Sequence, residues 1–115
     1  MWEHWDKTIK DDSRYYELML EWESGMKVSL GVSINKKETD TIWKVLISTF
    51  NPGAGEYISY KGDLSTLEAA ETRAWEEACK VLTTYEENDS SNRLKIGHLT
   101  RQTLDKMRAR HTDSN

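Results

Sequence analysis

Cysteine and long apolar runs are scarce in this sequence of 115 residues, and each scarcity excludes a class of protein. The single cysteine excludes an internal disulfide and the cysteine-rich zinc sites, which need several ligands at fixed spacing. No apolar run approaches the roughly 18 residues that a membrane-spanning helix needs. The first residues lack the basic and apolar regions of a secretory signal. We therefore expect a cytoplasmic protein, of a cell or of an infected host.

Residues with catalytic or metal-binding chemistry do not cluster along the sequence. The three histidines, His4, His98 and His111, stand far apart, and none has a second ligand at metal-binding spacing. The glycines of residues 51–55 match neither dinucleotide-binding nor P-loop spacing. The carboxylates fall on positions predicted to face solvent, and solvated carboxylates are weak general acids. We therefore predict a protein that is not an enzyme and uses no metal or cofactor.

Positive charge is scarce in residues 1–92. Residues 93–115 hold six basic and two acidic residues, a net charge of +4, so residues 1–92 carry −8 of the total of −4. A nucleic-acid-binding domain usually concentrates basic residues on its folded part, which argues against that function for residues 1–92. The basic segment alone could still contact phosphates, and its candidate residues are Arg101, Lys106, Arg108 and Arg110.

The strongest pattern that is present predicts an amphipathic helix over residues 65–85. Ser65 precedes Glu68 by three residues, a spacing typical of the capping box at a helix N-terminus. Apolar residues recur at intervals of three and four and form one stripe along the helix. The stripe consists of Leu67, Ala70, Ala74, Ala78, Val81, Leu82 and Tyr85, with Cys79 beside it.

An apolar period of two predicts strands over residues 15–22 and 26–34, joined as a hairpin. A three-residue loop, residues 23–25, keeps the two apolar faces in phase, whereas a two-residue loop does not. Gly25 then takes the left-handed position of the turn. This register pairs Trp22 with Met26, Leu20 with Val28, Leu18 with Leu30 and Tyr16 with Val32, and it places Glu21 opposite Lys27.

Two further strands, over residues 41–50 and 57–61, complete an antiparallel meander. The register of the third strand is chosen so that the apolar face of the sheet stays continuous. Trp43 then lies opposite Ile34, Val45 opposite Val32 and Ile47 opposite Leu30.

The other face of the predicted sheet is also partly apolar. It carries Met19, Leu46 and Phe50, and the chosen register places Leu46 beside Gly31, where the missing side chain permits a close approach. Such a face is too apolar to be left to water. We expect a terminal segment, a second copy of the chain or a partner to cover it.

The N-terminal segment, residues 1–14, is open to two interpretations. Trp2, Trp5 and Ile9 recur at helical spacing, which predicts a short helix. In the first interpretation this apolar segment packs on the edge of the domain. In the second, the two tryptophans are presented to a partner, where large aromatic side chains contribute strongly to binding.

The predicted fold class is therefore α+β. A four-stranded antiparallel meander carries one long helix on one face, and residues 15–87 form this core domain. Residues 88–115 form a polar linker followed by a weaker, basic C-terminal helix or tail. That helix is indicated by the spacing of Ile96, Leu99, Thr103 and Met107.

Residues 65–82 resemble the last helix of the double-stranded RNA-binding domain. That family contacts phosphates through lysines at the start of this helix, and Glu68 and Glu71 stand at the corresponding place here. Gly62 and Asp63, leading into a Leu-Glu-Ala-Ala helix, resemble the HicB-type antitoxins. Each resemblance covers about a quarter of the chain or less, and neither assigns it to a family.

These features predict a small, non-enzymatic protein-binding domain. Its acidic surface would suit a basic groove on a nucleic-acid-handling protein, as in inhibitors carried by phages and other mobile elements; solvated surface charge is the alternative explanation. The candidate contact residues are Glu17, Glu21, Glu23, Glu68, Glu71, Glu76, Trp2 and Trp5. Two other functions stay open, namely nucleic-acid binding through the C-terminal segment and self-assembly, for example as a homodimer, through the apolar second face.

Overall fold

The computed structural model describes residues 1–3, 5–22, 24–87 and 94–95. Within these ranges one antiparallel sheet is covered on one face by one helix, which confirms the predicted α+β class. Five strands follow one another across the sheet in the order of the sequence. The elements are β1 (Asp6–Lys10), β2 (Ser13–Trp22), β3 (Lys27–Lys36), β4 (Trp43–Asn51), β5 (Gly55–Leu64) and α1 (Leu67–Glu87), followed by the two-residue β6 (Leu94–Lys95), which pairs with β2.

The prediction of four strands and an N-terminal helix is wrong, because residues of that segment form β1. This strand pairs with β2 through the two-residue turn at Asp11 and Asp12. The three-residue spacing of the tryptophans reflects a turn, in which the Trp5 amide donates to the Trp2 carbonyl at 3.1 Å. Ile9, which would complete the helical stripe, is 58% exposed.

The hairpin of β2 and β3 has the predicted register. Leu18 pairs with Leu30, and Glu21 pairs with Lys27. The Trp22 amide donates to the Met26 carbonyl at 2.9 Å across the loop. Gly25 has a φ of +94°, a conformation that side chains with a Cβ rarely adopt.

The predicted register of β3 and β4 is wrong by two residues. Val45 lies opposite Ile34 and Ile47 opposite Val32, while Trp43 pairs with Lys36. A shift of two keeps every side chain on its predicted face, so alternation could not detect it. The connection decides the register, because β3 continues to Lys36 and the Asp40 amide donates to the Lys37 carbonyl at 2.9 Å in a tight turn.

The same shift changes the neighbours of Gly31. Leu46 lies opposite Ser33 rather than beside Gly31, so that prediction is wrong. The side chain that approaches Gly31 is Tyr15, whose hydroxyl would lie 2.9 Å from an added Cβ. The glycine therefore makes room for an aromatic ring that lies along the sheet.

Strand β5 is longer than predicted and contains an irregularity. Ile47 pairs with Tyr60 and Ser48 with Ile58, so Ser59 is the extra residue of a β-bulge. The bulge changes the alternation along β5, and Ile58 consequently points to the same face as Ser48.

The long helix begins at Leu67, two residues after the predicted start at Ser65. The Thr66 hydroxyl accepts a hydrogen bond from the Ala69 amide at 3.0 Å, which makes Thr66 the N-cap and the predicted capping box at Ser65 wrong. The alanines of the predicted stripe are fully buried against β3, β4 and β5. Trp75 and Cys79 are buried as well, which widens the stripe.

The core lies between α1 and one face of the sheet. Leu20, Leu30, Val32, Ile34 and Ile47 are fully buried there. None of the helices in the described ranges is long and apolar enough to cross a membrane. The predicted C-terminal helix and most of the predicted segment of residues 88–115 lie outside the described residues.

Candidate functional site

The tryptophans of the N-terminal segment are inside the molecule rather than on its surface. Trp2 and Trp5 are 7% and 4% exposed. The Trp2 ring stacks on Tyr16 of β2, with the ring centroids 4.1 Å apart and the planes 5° apart. The Trp75 ring of α1 lies perpendicular to it, with the ring centroids 5.1 Å apart. The interpretation in which both tryptophans are presented to a partner therefore does not describe this structure.

Glu71 is bound by the same aromatic cluster. Its Oε2 accepts a hydrogen bond from Trp2 Nε1 at 2.8 Å, and its Oε1 accepts one from the Tyr16 hydroxyl at 2.7 Å. This carboxylate, proposed from the sequence as a partner contact, is thus occupied by two internal donors. Burial and the hydrogen bond to Glu71 raise the pKa of Tyr16 well above its usual range.

Cys79 is not suited to nucleophilic chemistry. Burial, with a smaller contribution from the charge of Glu76, raises the pKa of its thiol to about 12. The thiolate is the reactive form, so almost none of it is present at neutral pH. In the described part of the chain, no group of three His, Cys, Asp or Glu side chains lies close enough to hold a metal ion.

The remaining acidic candidates lie on two different faces. Glu17 and Glu21 project from β2 on the face of the sheet opposite α1, and Glu17 accepts a hydrogen bond from the Tyr15 hydroxyl at 3.1 Å. Glu68 and Glu76 lie on α1, where Glu76 is 3.9 Å from Arg73. The structure does not bring these two sets together, and Glu23 lies outside the described residues.

The apolar candidates, in contrast, form one surface. The residues of the sheet that point away from α1 are called the back face here. On it Ser29 lies between Met19 and Phe50, and Ser33 lies between Tyr15 and Leu46. The exposed apolar members of the back face are Tyr15, Met19, Phe50 and Ile58, with half-buried Leu46 beside them.

The centre of the back face is shallow. Strands β3 and β4 contribute Ser29, Gly31, Ser33 and Ser48 there, and none of these has a large side chain. Periodicity identified Met19, Leu46 and Phe50 as members of the back face. It missed Ile58, because the bulge at Ser59 changes the alternation of β5 and leaves no signal in the sequence.

Charges border the back face unevenly. Asp6 pairs with Glu17 at the β1 and β2 side, and Glu21 lies further along β2. Lysines lie elsewhere on the face, with Lys27 opposite Glu21 and Lys61 opposite Leu46. The β1 and β2 side is therefore acidic around Asp6 and Glu17, whereas Glu21 pairs with Lys27 and Lys95, and Lys10 lies at the end of β1.

No protein-family model matches this sequence, and comparisons with curated proteins and with solved structures found no match.

Proposed function

We propose that this chain is a small, non-enzymatic protein-binding domain that docks another protein on the back face of its sheet. The supporting observation is that Phe50, Met19 and Ile58 stay about half exposed there, while the opposite face is buried beneath α1. A cluster of exposed apolar side chains on one face is typical of a protein interface. The serines between them have small side chains, which allow a partner to approach the sheet backbone closely.

The charge of the border suggests the chemistry of the partner. Asp6, Glu17 and Glu21 would lie against basic residues that surround an apolar patch on the partner. Proteins that handle nucleic acid carry basic surfaces of this kind. An inhibitor that occupies such a surface is the specific form of the function that we propose.

The test is a pull-down from the native host with three versions of the full chain. We expect the wild-type chain to retain a protein that Phe50→Ser fails to retain. Ile9→Ser is the matched control, because Ile9 is at least as exposed as Phe50 but points away from the back face. Equal recovery by all three versions, or loss of the retained material after nuclease treatment, would contradict the proposal.

Charge reversal tests the acidic border separately. Glu17→Lys combined with Glu21→Lys should weaken binding and reduce its dependence on salt. Asp11→Lys combined with Glu38→Lys changes the net charge equally at exposed positions in turns. Binding that is weakened equally by both pairs would show that net charge, rather than the border of the back face, is what the partner detects.

Self-assembly is a second candidate, which the same exposed apolar side chains favour. A wild-type chain that is dimeric in solution and a Phe50→Ser chain that is monomeric would assign the back face to a second copy. A wild-type chain that is strictly monomeric would exclude this candidate.

Nucleic-acid binding stays an alternative that the described residues do not test, because Arg101, Lys106, Arg108 and Arg110 lie outside them. If it is correct, the full chain shifts DNA or RNA at low salt and a chain lacking residues 93–115 does not. The absence of any shift by the full chain would rule it out.

A further inference from the structure

Strand β5 leaves one of its edges open. It is the last strand in the sheet order and pairs with β4 on its inner side. Among the described ranges no strand pairs with its outer side. An open edge presents unpaired N–H and C=O groups, which another extended chain can pair with.

A cavity lies beside this open edge. Its volume is about 400 Å³, and it is formed between β5 and the C-terminal half of α1. Tyr57, which is 71% exposed, and Ser59 of the bulge line it from the strand. The helix contributes Glu77, Lys80, Val81, Thr84 and Tyr85.

The cavity has an apolar part and a neutralised rim. Tyr57, Val81 and Tyr85 provide apolar surface, whereas Lys80 Nζ is 3.1 Å from Glu77 Oε1 and so pairs with the one acidic side chain in the lining. An inserted side chain would therefore meet apolar atoms rather than an uncompensated charge. Leucine or an aromatic residue fits this environment.

The adjacent end of α1 has no basic residue in its last turn. The backbone carbonyls at a helix C-terminus already carry partial negative charge, which favours cations nearby. A lysine or arginine on a ligand next to the cavity would complement this charge.

We propose that the open edge of β5 and the adjacent cavity bind an extended, basic segment of a partner protein. The segment pairs its main chain with β5, inserts one apolar side chain between Tyr57 and Tyr85, and places a lysine or arginine beside the C-terminal end of α1. Because alternate side chains of a strand point to opposite faces, its neighbouring residues would contact Ile58 on the back face.

This site is separate from the centre of the back face, so it extends the proposed function without depending on it. A partner held at both places would gain affinity from the linkage of the two contacts. Either contact could also exist alone.

The probe is a displayed library of random twelve-residue peptides, selected against the full chain. We expect the retained peptides to share an apolar residue with a lysine or arginine close to it. A synthetic peptide of the retained sequence should shift the backbone amide resonances of Gly55–Leu64. N-methylation of alternate peptide nitrogens should lower its affinity at least tenfold, because it removes main-chain donors.

Two matched variants locate the peptide. Thr84→Arg places a large cation in the cavity and should lower affinity at least tenfold. Thr8→Arg is the same change at an exposed threonine of β1 and should leave affinity unchanged. Thermal unfolding of both variants verifies that they are folded.

Several outcomes would overturn the site. The first is that no peptide is retained, and the second is that a retained peptide binds Thr84→Arg as well as it binds wild type. The third is a wild-type dimer that Thr84→Arg dissociates, which would assign the edge of β5 to a second copy of the chain. A peptide that Phe50→Ser abolishes and Thr84→Arg does not would belong to the back face. If only the proposal for the back face is wrong, the selected peptide still binds at the edge of β5.

Discussion

Among single residues, Glu71 joins three parts of the chain that are distant in sequence. It projects from α1 and accepts hydrogen bonds from Trp2 of the N-terminal segment and from Tyr16 of β2. Both oxygens of the carboxylate are used as acceptors. An amide in the same place would have one acceptor, and its NH₂ group would face a donor.

Glu71→Gln should therefore destabilise the fold. A hydrogen bond to a charged group contributes about 1.5–3 kcal/mol, and an unmatched donor adds a penalty, so we expect a loss of about 1–3 kcal/mol in the free energy of unfolding. Urea unfolding followed by tryptophan fluorescence measures it. The control is Glu68→Gln, an exposed change on the same helix that should stay within about 0.5 kcal/mol of wild type. Equal effects of the two changes would contradict the role given to Glu71.

Tyr16 makes stability sensitive to alkaline pH. Its pKa is raised in the folded chain, so the folded state keeps a proton that the unfolded state loses near the ordinary tyrosine pKa of about 10. The stabilisation is complete below pH 10 and is lost as pH rises from about 10 towards the pKa of the folded state. Unfolding free energies measured from pH 9 to 11 should fall more steeply for wild type than for Tyr16→Phe. Parallel curves would show that another group is responsible.

At the scale of elements, α1 shows how close a cap prediction can come and still be wrong. Ser65 and Thr66 are both good N-cap residues, and the sequence pattern favoured Ser65 because Glu68 follows it by three. The structure uses Thr66, whose hydroxyl reaches the Ala69 amide. The position at which the chain leaves β5 determines which of the two residues can cap the helix.

This choice gives a test with an internal control. Thr66→Ala should cost about 1 kcal/mol of stability, within the range of 0.5–2 kcal/mol known for lost caps. Ser65→Ala, one residue earlier and also exposed, should cost a few tenths of a kcal/mol at most. Thermal unfolding of the two variants side by side measures the difference. A larger loss of stability for Ser65→Ala than for Thr66→Ala would identify Ser65 as the N-cap instead.

The N-terminal segment and the third strand show two other limits of sequence patterns. Trp2, Trp5 and Ile9 have the spacing of a helix, but a turn and a strand satisfy it equally well over so few residues. For β4, alternation defined the face of each residue, and the tight connection from Lys36 to Trp43 defined the register. Periodicity identifies the face of the sheet to which a side chain points, whereas the pairing of two strands depends on the loop that joins them.

For the whole molecule, the sheet is least protected at its margins. Every residue of β1 is exposed, and most of β5 is exposed as well, whereas half of the residues of β3 are buried. Local opening depends on how much buried contact a segment must give up. The margins at β1 and β5 are therefore also the parts of the sheet that are most available to a ligand.

Native-state hydrogen exchange should show this gradient. We expect the amides of β3 to exchange most slowly and those of β1 and the Gly55–Ile58 part of β5 to exchange fastest among the strands. NMR detection of individual amides measures it, with exchange in urea as the reference for global unfolding. Amides of β1 that are as protected as those of β3 would mean that the N-terminal strand is part of the cooperative core.

By itself, the sequence determined the α+β class, the hairpin of β2 and β3 with its glycine turn, and the face of most core residues. These features depend on side-chain periodicity and on local turn chemistry, and both are determined by residues that are close together in the sequence. Only the tertiary structure decided the pairing of β4, the strand at the N-terminus, the bulge at Ser59 and the internal use of Glu71. Each of these features depends on which groups distant in the sequence come into contact. Those contacts are determined by loop geometry and by the packing of the core, which no short stretch of sequence encodes.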